Sequence, residues 1–550
     1  MTNATSLSVP GIHPPVPAEF NLMQAESSAR SVLLGFDFVT LGGLLSLYMA
    51  YCLGTAVYNV FFSPLSVIPG PWYAAISDTW LLFNAARLLQ CDTLHSALRH
   101  YGPVVRVGPR RVVFCDHAAM KSVYCVRKMP KSVFYKALIA DDHDHSMTSI
   151  TNAEHTRRRK AFAAHYSLAN VGQFQPDIQD RVSTLLEVIE SSPRRSVDCI
   201  HLFRHLFVDI LRTTLFGLDP LSLNAWKAGR QDWLCAAVRD FPIRALLRSC
   251  TPTFLWKILA YVRHERWQSI YHADKTLASF VRKRMSEMQN DEPEQDVELE
   301  ASGSDRPAPL LRRMLAQRQS GLSEQDIVSE CISHMVAGVD TSTATLGFIF
   351  WELSRRPDVV DRLRVELDEV MPERRSVPAY AVLARQPYLS AFLNEAFRLY
   401  GAVNSLLERV VPEQKDAGAS PDLFDLMGYG LPPGTVVGTQ AWSMHRDPDV
   451  FPSPNHFDPD RWLPLDPSKE EEERLARMQQ HMMPFGAGTR ACPGRYQAQI
   501  IFRTLIAAVV SNFDVVLDPS ETNEETMAPR DAFAVRPASR ECKVTFVPRP

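Results

Sequence analysis

The feature that most constrains this chain is a run of 25 residues without a charged side chain, from Phe38 to Phe62. A helix rises about 1.5 Å per residue, so this run would reach roughly 37 Å and cross a hydrocarbon core of about 30 Å. A buried core helix is the alternative, but uncharged runs of this length are rare in soluble proteins. No second such run follows, so the sequence predicts a single-pass membrane anchor and excludes a channel or transporter.

The segments around the anchor set its boundaries. The run begins too late and is too long for a cleavable signal peptide. Residues 63–72 hold three prolines and one glycine, which cannot continue a helix and predict a stiff hinge. We therefore divide the chain into an N-terminal tail (1–37), the anchor (38–62), the hinge (63–72) and a large body (73–550).

The orientation of the anchor is weakly encoded. Arg30, just before the span, favours a cytosolic N-terminus under the positive-inside rule. Asn3-Ala4-Thr5 is a glycosylation sequon, which is useful only if the N-terminus is lumenal. Charge alone therefore leaves the topology open.

The composition is that of a large globular protein. Charged residues make up 22% of the chain, hydrophobic residues 46%, and the formal net charge is −3. This balance excludes a disordered chain and a strongly basic nucleic-acid binder, which needs a surplus of Lys and Arg. Ten cysteines without a C-x-x-C pair indicate neither a disulfide framework nor a zinc site.

The body is predicted to be mainly α-helical with small β-sheets. Most of 150–400 has the apolar spacing of helices. The β-branched run at 103–116 predicts two strands separated by Gly108-Pro109. Segment 290–308 is strongly acidic and predicts a solvated surface loop.

A long helix is predicted from Ser323 to about Arg356. Ser323 and Asp326 have the spacing of a capping box, and Pro357 stops the pattern. In the middle, residues 337–342 (Ala-Gly-Val-Asp-Thr-Ser) cluster weak helix formers. Such a cluster is consistent with a local opening of the helix, but on these residues alone a glycine-mediated crossing of two helices is the favoured interpretation.

Two further segments carry candidate functional groups. Glu395 and Arg398 share a helix face, and Arg461 could join them in a buried charge cluster; a surface ion pair is the alternative. Segment 485–494 (Phe-Gly-Ala-Gly-Thr-Arg-Ala-Cys-Pro-Gly) places Cys492 in a glycine-rich loop two residues after Arg490. These surroundings favour a thiolate, which could be an iron ligand or a nucleophile, while a buried structural cysteine is the third reading.

Taken together, these patterns resemble the cytochrome P450 family. Phe485-x-x-Gly488-x-Arg490-x-Cys492-x-Gly494 resembles the family's haem-binding loop. Ala337-Gly338-x-Asp340-Thr341 is similar to its oxygen-activation motif, and Glu395-x-x-Arg398 with Arg461 is similar to its structural cluster. The resemblance covers roughly 63–550 and extends to the hinge of microsomal members and, around 445–448, to filamentous-fungal members. It implies the P450 fold, mainly α with small sheets, preceded by one transmembrane helix.

The resemblance assigns roles to single residues. Cys492 would be the axial thiolate ligand of the iron of haem b, and such a ligand favours O–O cleavage. Phe485 would shield the sulfur from water. Asp340 and Thr341 would relay protons to the bound oxygen. Arg490 and Arg409 would pair with the haem propionates. His155-x-x-x-Arg159 lies where the family usually has Trp-x-x-x-Arg, and its His could still donate to a propionate; a solvated basic face is the alternative for this segment.

The resemblance also implies an activity. The chain would be a haem-thiolate monooxygenase that inserts one atom of O2 into a lipophilic molecule, such as a terpenoid or polyketide of fungal secondary metabolism. Only 58 residues follow Cys492, too few for a flavin domain. Electrons from NADPH would therefore come from a separate NADPH-cytochrome P450 reductase, with cytochrome b5 as a further candidate donor. We expect no nucleic-acid partner. We expect the protein to cross the membrane of the endoplasmic reticulum once, with its catalytic domain in the cytosol.

Two alternatives stay open. One is a family member that isomerises or dehydrates its substrate without oxygenating it. The other is a haem-binding membrane protein without turnover, which would have no need of the Asp340-Thr341 pair. Substrate contacts are expected from 139–150, 207–216, Ala337 and 403–406.

Overall fold

The computed structural model describes residues 38–191, 195–290, 307–318, 321–413 and 423–549. The Asn3 sequon and most of the acidic segment at 290–308 lie outside the described residues. The chain divides into two units, one that ends at Phe62 and one that spans Ser63–Pro550.

The first unit is described from helix α1 (Phe38–Val57), which continues as a turn of π-helix over Tyr58–Phe62. Over Gly42–Phe62 it is long and apolar enough to cross a membrane, and none of that stretch is buried within the protein. Large apolar side chains such as Leu47 and Phe61 are each 70% exposed. A core helix would bury such side chains, so this helix is a candidate single-pass anchor.

The second unit consists mainly of helices. In chain order they are α2 (Trp72–Ile76), α3 (Thr79–Ala86), α4 (Gln90–Tyr101), α5 (His117–Met120), α6 (Asn152–Phe162), α7 (Leu168–Gln173), α8 (Gln175–Glu190), α9 (Cys199–Phe216), α10 (Ser222–Lys227), α11 (Trp233–Cys250), α12 (Thr253–Leu259), α13 (Glu265–Asn290), α14 (Leu310–Ala316), α15 (Glu324–Arg355), α16 (Pro357–Val370), α17 (Tyr380–Leu383), α18 (Pro387–Tyr400), α19 (Ala441–Met444), α20 (Lys469–His481) and α21 (Arg495–Asn512). Short 3-10 or π segments lie at Lys121–Val126, Val133–Leu138, Pro459–Trp462 and Gly488–Arg490.

Within the described ranges the strands form four small sheets. The strands are β1 (Val104–Gly108), β2 (Arg111–Phe114), β3 (Ser196–Asp198), β4 (Arg409–Val410), β5 (Phe424–Leu426), β6 (Tyr429–Leu431), β7 (Val436–Gly438), β8 (Phe513–Val516), β9 (Pro529–Ala532), β10 (Ala534–Pro537) and β11 (Lys543–Pro548). The largest sheet has the order β1-β2-β7-β4, in which only β2 and β7 are parallel. The two strands predicted around Gly108-Pro109 and the mainly α class are confirmed.

Helix α15 has the limits that the sequence predicted. The hydroxyl of Ser323 accepts a hydrogen bond from the backbone N–H of Asp326 at 3.1 Å, and the Asp326 carboxylate accepts one from the N–H of Ser323 at 3.0 Å. This is the reciprocal capping box. The helix then runs without a break to Arg355. The local opening considered for 337–342 is therefore absent, and the favoured interpretation, a glycine-mediated crossing, is confirmed.

The weak helix formers serve a close crossing of α15 with α9 instead. A Cβ atom on Gly338 would lie 2.9 Å from Cδ1 of Leu211, and one on Gly347 would lie 2.6 Å from Cδ1 of Ile200. Both approaches are tighter than carbon atoms adopt in packed interiors, so glycine at these two positions lets the helices meet. The crossing anchors α15 in the main hydrophobic core, which it shares with α8, α18 and α21.

The Pro-rich segment at 63–72 packs against β1. Leu65 and Ile68 are buried, and the carbonyl of Pro69 accepts a hydrogen bond from the N–H of Arg106 at 2.8 Å. A Cβ atom on Gly70 would lie 2.3 Å from the carbonyl oxygen of Arg106. Since a strand carbonyl cannot turn aside as a side chain can, only glycine fits there.

Gly70→Ala is expected to lower the free energy of unfolding by roughly 1–3 kcal/mol, because the added methyl group overpacks a fixed backbone contact. The matched control is Gly172→Ala in α7, where a Cβ atom meets nothing within 4 Å. Thermal unfolding of both variants and the parent measures the difference. An unchanged Tm for Gly70→Ala would contradict the packing of this segment on β1.

Candidate functional site

The loop between α20 and α21 presents Cys492. Gly486 and Gly488 have φ angles of +70° and +67°, which favour glycine, and the backbone N–H of Cys492 donates to the carbonyl of Phe485 at 2.8 Å. A Cβ atom on Gly488 would lie 2.1 Å from the carbonyl oxygen of Tyr124. The glycines therefore let the loop turn back sharply while it packs against the Lys121–Val126 segment.

The thiol of Cys492 is accessible although protein surrounds it. Its residue is exposed, while burial of the sulfur is the main cause that raises the pKa of the thiol. We interpret this combination as a cysteine that faces a recess of the protein, called the cleft below. The N–H of Gly494 and the charges of Arg159 and Arg495 act in the opposite direction and lower this pKa.

Five basic side chains lie close to one another, and Arg490 of this loop is one of them. The charges of Lys131, Arg159, Arg409 and Arg490 each lower the pKa of the fifth, His155. They come from four separate segments of the chain: Lys131, His155, Arg159, Arg409 and Arg490. Their hydrogen bonds reach backbone carbonyls: Lys131 donates to Met147 (2.6 Å), Arg159 to Ala491 (3.0 Å), Arg409 to Glu408 (2.8 Å) and Arg490 to Ser149 (2.8 Å). Among the described residues, none of the five forms an ion pair with a carboxylate.

The pKa values of the basic cluster show that its positive charges are unfavourable where they lie. Burial and the neighbouring cations lower the pKa of His155 to about 3 and that of Arg490 to about 10. The same two causes hold the pKa of Lys131 well below its ordinary value. Uncompensated charges in a buried site are very unfavourable, so this basic cluster requires an anion. Four of its members were predicted from the sequence, whereas Lys131 belongs to no local pattern that could have revealed it.

The middle of α15 carries Asp340 and Thr341. Ala337 is exposed and Thr341, one turn further, is partly exposed, although the helix is otherwise largely buried. The Thr341 hydroxyl donates to the carbonyl of Ala337 at 2.7 Å. The Asp340 carboxylate lies on another side of the helix, in an ion pair with Arg536. The two side chains predicted to act together therefore have different partners.

Glu395, Arg398 and Arg461 form one buried cluster. Arg398 binds Glu395 through two hydrogen bonds of 2.8 and 2.7 Å, and Nε of Arg461 donates to the same carboxylate at 3.0 Å. Trp462 Nε1 and the N–H of Asp458 donate to it as well, each at 2.9 Å. Burial alone would raise the pKa of Glu395, but the two arginines hold it below its ordinary value. Glu395 and Arg398 are fully buried, which excludes a surface ion pair.

His445 connects this cluster to the cysteine loop. Its Nδ1 lies 2.9 Å from the carbonyl of Arg398, and its Nε2 accepts a hydrogen bond from the N–H of Met483 at 2.8 Å. Burial, as the main cause, lowers the pKa of His445 to about 3, so the ring is neutral and Nδ1 carries the proton. Phe485, two residues beyond Met483, packs on Phe397 with ring centroids 5.3 Å apart. The sequence analysis missed His445 as a support of the site.

The segments expected to contact substrate differ in how exposed they are. Loop 139–150 is tied to α15, since the N–H of Ser146 donates to Glu330 at 2.6 Å and the Ser329 hydroxyl donates to the carbonyl of Asp144 at 2.8 Å. Ala337 is exposed, as the expectation requires. Residues 207–216 are almost all buried in the main core, so the contact predicted there is wrong. Of 403–406, only Val403 is partly exposed.

The family model described as "Cytochrome P450" matches residues 77–544 of this chain. The chain belongs to the cytochrome P450 family. A benzoate 4-monooxygenase of Aspergillus niger is 27% identical over 88% of this chain and 95% of the relative. A tryprostatin B 6-hydroxylase of Neosartorya fischeri is 26% identical over 84% and 78%, respectively. A zebrafish cytochrome P450 solved with progesterone superimposes with a TM-score of 0.63 at 19% identity, over 84% of this chain and 99% of that chain, and shows the P450 fold.

The enzyme is thus a cytochrome P450 monooxygenase whose cofactor is haem, with NADPH and O2 as co-substrates. The residues present fit this group. Haem carries two propionates, and the basic cluster supplies buried cations that lack a carboxylate partner. Cys492 supplies an accessible sulfur in the same region, because it lies beside Arg159 of that cluster.

Glu395→Ala is expected to lower the free energy of unfolding by about 3–5 kcal/mol, because it leaves Arg398 and Arg461 as unpaired buried charges. The matched control is Glu473→Gln, which breaks the exposed Lys469–Glu473 pair of α20 and is expected to cost at most about 1 kcal/mol. Thermal unfolding and haem content measure both effects. Similar losses of stability and haem content in the two variants would contradict the structural role of the buried cluster.

Proposed function

We propose that this P450 is a membrane-bound enzyme that inserts one oxygen atom from O2 into a lipophilic small molecule. The proposal rests on one observation above all: an accessible cysteine sulfur lies beside a buried basic cluster without carboxylate partners. Haem bound there through a thiolate supplies O2 binding and O–O cleavage. Side chains of the protein itself would bind the cofactor and transfer the protons.

Cofactor binding is the first task. Cys492 would hold the haem iron through its sulfur, and the N–H of Gly494 and the charges of Arg159 and Arg495 favour the thiolate form. Phe485 limits the access of water to the sulfur. The basic cluster would hold the propionates, whose negative charges would compensate its cations.

Proton transfer is the second task. Thr341 lies on the accessible face of α15, and its hydroxyl can turn from the carbonyl of Ala337 toward an oxygen in the cleft. Asp340, one residue earlier, supplies a carboxylate that can carry protons from the interior of the protein. A hydroxyl and a carboxylate in a site poor in water meet the requirements of general acid catalysis.

The substrate class follows from the relatives and from the lining of the cleft. The names of the similar proteins describe hydroxylations of small molecules in filamentous fungi. Ala337 and Phe134 are exposed and Val403 is partly exposed, and all three side chains are apolar. We therefore propose a lipophilic substrate of fungal secondary metabolism, of the terpenoid or polyketide class.

The membrane location and redox partner complete the proposal. Helix α1 and the turn after it would hold the enzyme in the endoplasmic reticulum, with the catalytic body in the cytosol. Electrons would come from NADPH-cytochrome P450 reductase, with cytochrome b5 as a second donor. The exposed apolar helix supports this pairing, because an enzyme and a reductase anchored in the same membrane meet at a high effective concentration.

The function is tested by comparing lipophilic metabolites of cells with and without the gene, and then incubating the compound that accumulates with the enzyme, reductase, NADPH and ¹⁸O2. We expect one ¹⁸O atom per product molecule and strict dependence on NADPH. Turnover without NADPH would indicate a non-oxygenating P450, and the absence of any turnover would indicate a haem-binding protein.

Thr341→Ala tests the proton route with the same compound. We expect intact haem binding but a large fall in product per NADPH and a rise in hydrogen peroxide, because general acid catalysis is typically worth about 10²–10⁴-fold. Thr341→Ser is the matched control and should retain most of the coupling. An unchanged product ratio in Thr341→Ala would remove Thr341 from the relay.

A further inference from the structure

A cavity of about 540 Å³ lies between the end of α8, the start of α9, helix α10 and strand β11, and we call it the α9 cavity. Its volume is within the range of roughly 300–1,000 Å³ that is usual for sites of small molecules. None of the described residues that line it belongs to the cysteine loop, the basic cluster or the α15 segment at 337–342. The α9 cavity is therefore a second site, separate from the proposed haem site.

Part of the lining of the α9 cavity is apolar and comes from buried side chains of three elements: Val188, Ile189, Leu202 and Phe546. Another part is aromatic. The ring of Trp226 lies 5.0 Å from the ring of His201 and 5.1 Å from that of His205, in both cases edge to face. His205 is itself held in place, because its Nδ1 lies 2.9 Å from the carbonyl oxygen of Ser222. These contacts form the aromatic wall before any ligand is bound, and a flat ring can pack against it.

Two polar groups of this wall have no partner. The indole N–H of Trp226 and the ring nitrogens of His201 form no hydrogen bond with the residues that the structure describes, and both side chains are half-buried. Burial, as the main cause, lowers the pKa of His201 to about 4, so its ring is neutral and one of its nitrogens carries a proton. Half-buried donors without an acceptor are unfavourable, so an acceptor on a ligand would stabilise both.

The charges of the α9 cavity favour an anion. Three of its lining residues are exposed cations that form no ion pair within the described ranges: Arg195, Lys227 and Arg230. Among the described lining residues, Asp198 alone carries a carboxylate. Its Oδ1 accepts hydrogen bonds from the N–H groups of Ile200 at 3.1 Å and Cys542 at 3.0 Å. The backbone thus partly balances this one negative charge, and the three cations outweigh it.

We propose that the α9 cavity binds a planar aromatic molecule that carries one carboxylate. The aromatic part packs against Trp226 and the apolar lining. The carboxylate accepts hydrogen bonds from the donors of the wall and pairs with Lys227 and Arg230. An uncharged aromatic molecule would not use the cations, and a non-aromatic acid would not use the wall. This binding site is additional to the proposed function and requires no turnover.

The probe for the test is 1-naphthoate, titrated by calorimetry into the haem-loaded full chain in lipid nanodiscs, with empty nanodiscs as the blank. We expect saturable binding with a Kd of about 1 mM or tighter, which is the usual affinity of a ligand of this size. The Soret band of the haem should not shift, because the probe lies outside the haem site. Naphthalene-1-methanol, which lacks the charge, and cyclohexanecarboxylate, which lacks the aromatic ring, should each bind at least about fivefold more weakly.

Variants of the lining connect this binding to the α9 cavity. Trp226→Ala should weaken binding of 1-naphthoate at least about tenfold, whereas Trp226→Phe keeps a ring and should lose less. The double variant Lys227→Gln/Arg230→Gln changes only exposed side chains and should weaken binding at least about fivefold. Lys257→Gln is the matched control, since Lys257 is exposed, forms no ion pair among the described residues and does not line the cavity. The carbon monoxide spectrum of each variant first establishes intact haem binding.

The outcomes separate this site from the haem site. No saturable binding of 1-naphthoate, equal binding of the uncharged analogue, or an unchanged affinity in the Lys227→Gln/Arg230→Gln variant would each overturn the proposal. A Soret shift that has the same affinity in the parent and in the cavity variants would place the probe beside the haem and would also overturn it. Because no turnover is measured, failure here leaves the proposed monooxygenase function untouched, and failure of that function leaves this test intact.

Discussion

The site depends on a group of buried and half-buried basic side chains, four of them cations and His155 neutral, that form no ion pair with a carboxylate among the described residues. Lys131, His155, Arg159, Arg409 and Arg490 come from four segments, and their hydrogen bonds end on carbonyl oxygens. Burial and the neighbouring cations lower the pKa values of Lys131, His155 and Arg490. An anion among its members would stabilise such a cluster, so binding of haem propionates there, as proposed, would be coupled to folding of this region.

The cysteine loop is rigid for a different reason. Arg398 binds Glu395 on one side and, through its own backbone carbonyl, His445 on the other, and His445 accepts the N–H of Met483. A continuous series of buried contacts therefore runs from α18 to the residues just before Cys492. The buried ion cluster contributes to function by fixing the position of a loop, which agrees with the general rule that functional groups need rigid support.

Much of this organisation could be predicted from the sequence, because it depends on local patterns. The capping box at Ser323, the turn at Gly108-Pro109 and the uncharged run to Phe62 each encode their structure within a few residues. The grouping of Glu395 with Arg398 and Arg461 followed from the family resemblance. These features are independent of the exact packing of distant segments.

The undecided points and the failures concern contacts between distant segments. Gly338 indicated a special place in α15, but whether the glycine opens a helix or lets another helix approach depends on Leu211, more than 100 residues away. Likewise, the apolar face at 207–216 could have lined a cleft or a core. Lys131 and Arg536 lie in no recognisable pattern, and the run at 445–448 did not reveal the supporting role of His445, because the partners of these residues become neighbours only in the folded chain.

The central claim is that Cys492 provides the sulfur ligand of the haem iron. The most direct measurement is the absorption spectrum of the reduced, carbon-monoxide-treated enzyme, compared with Cys492→His and with Cys115→Ala as a control at another partly buried thiol. The account predicts the red-shifted thiolate band in the parent and in Cys115→Ala, and its loss in Cys492→His. Retention of that band in Cys492→His would contradict the account.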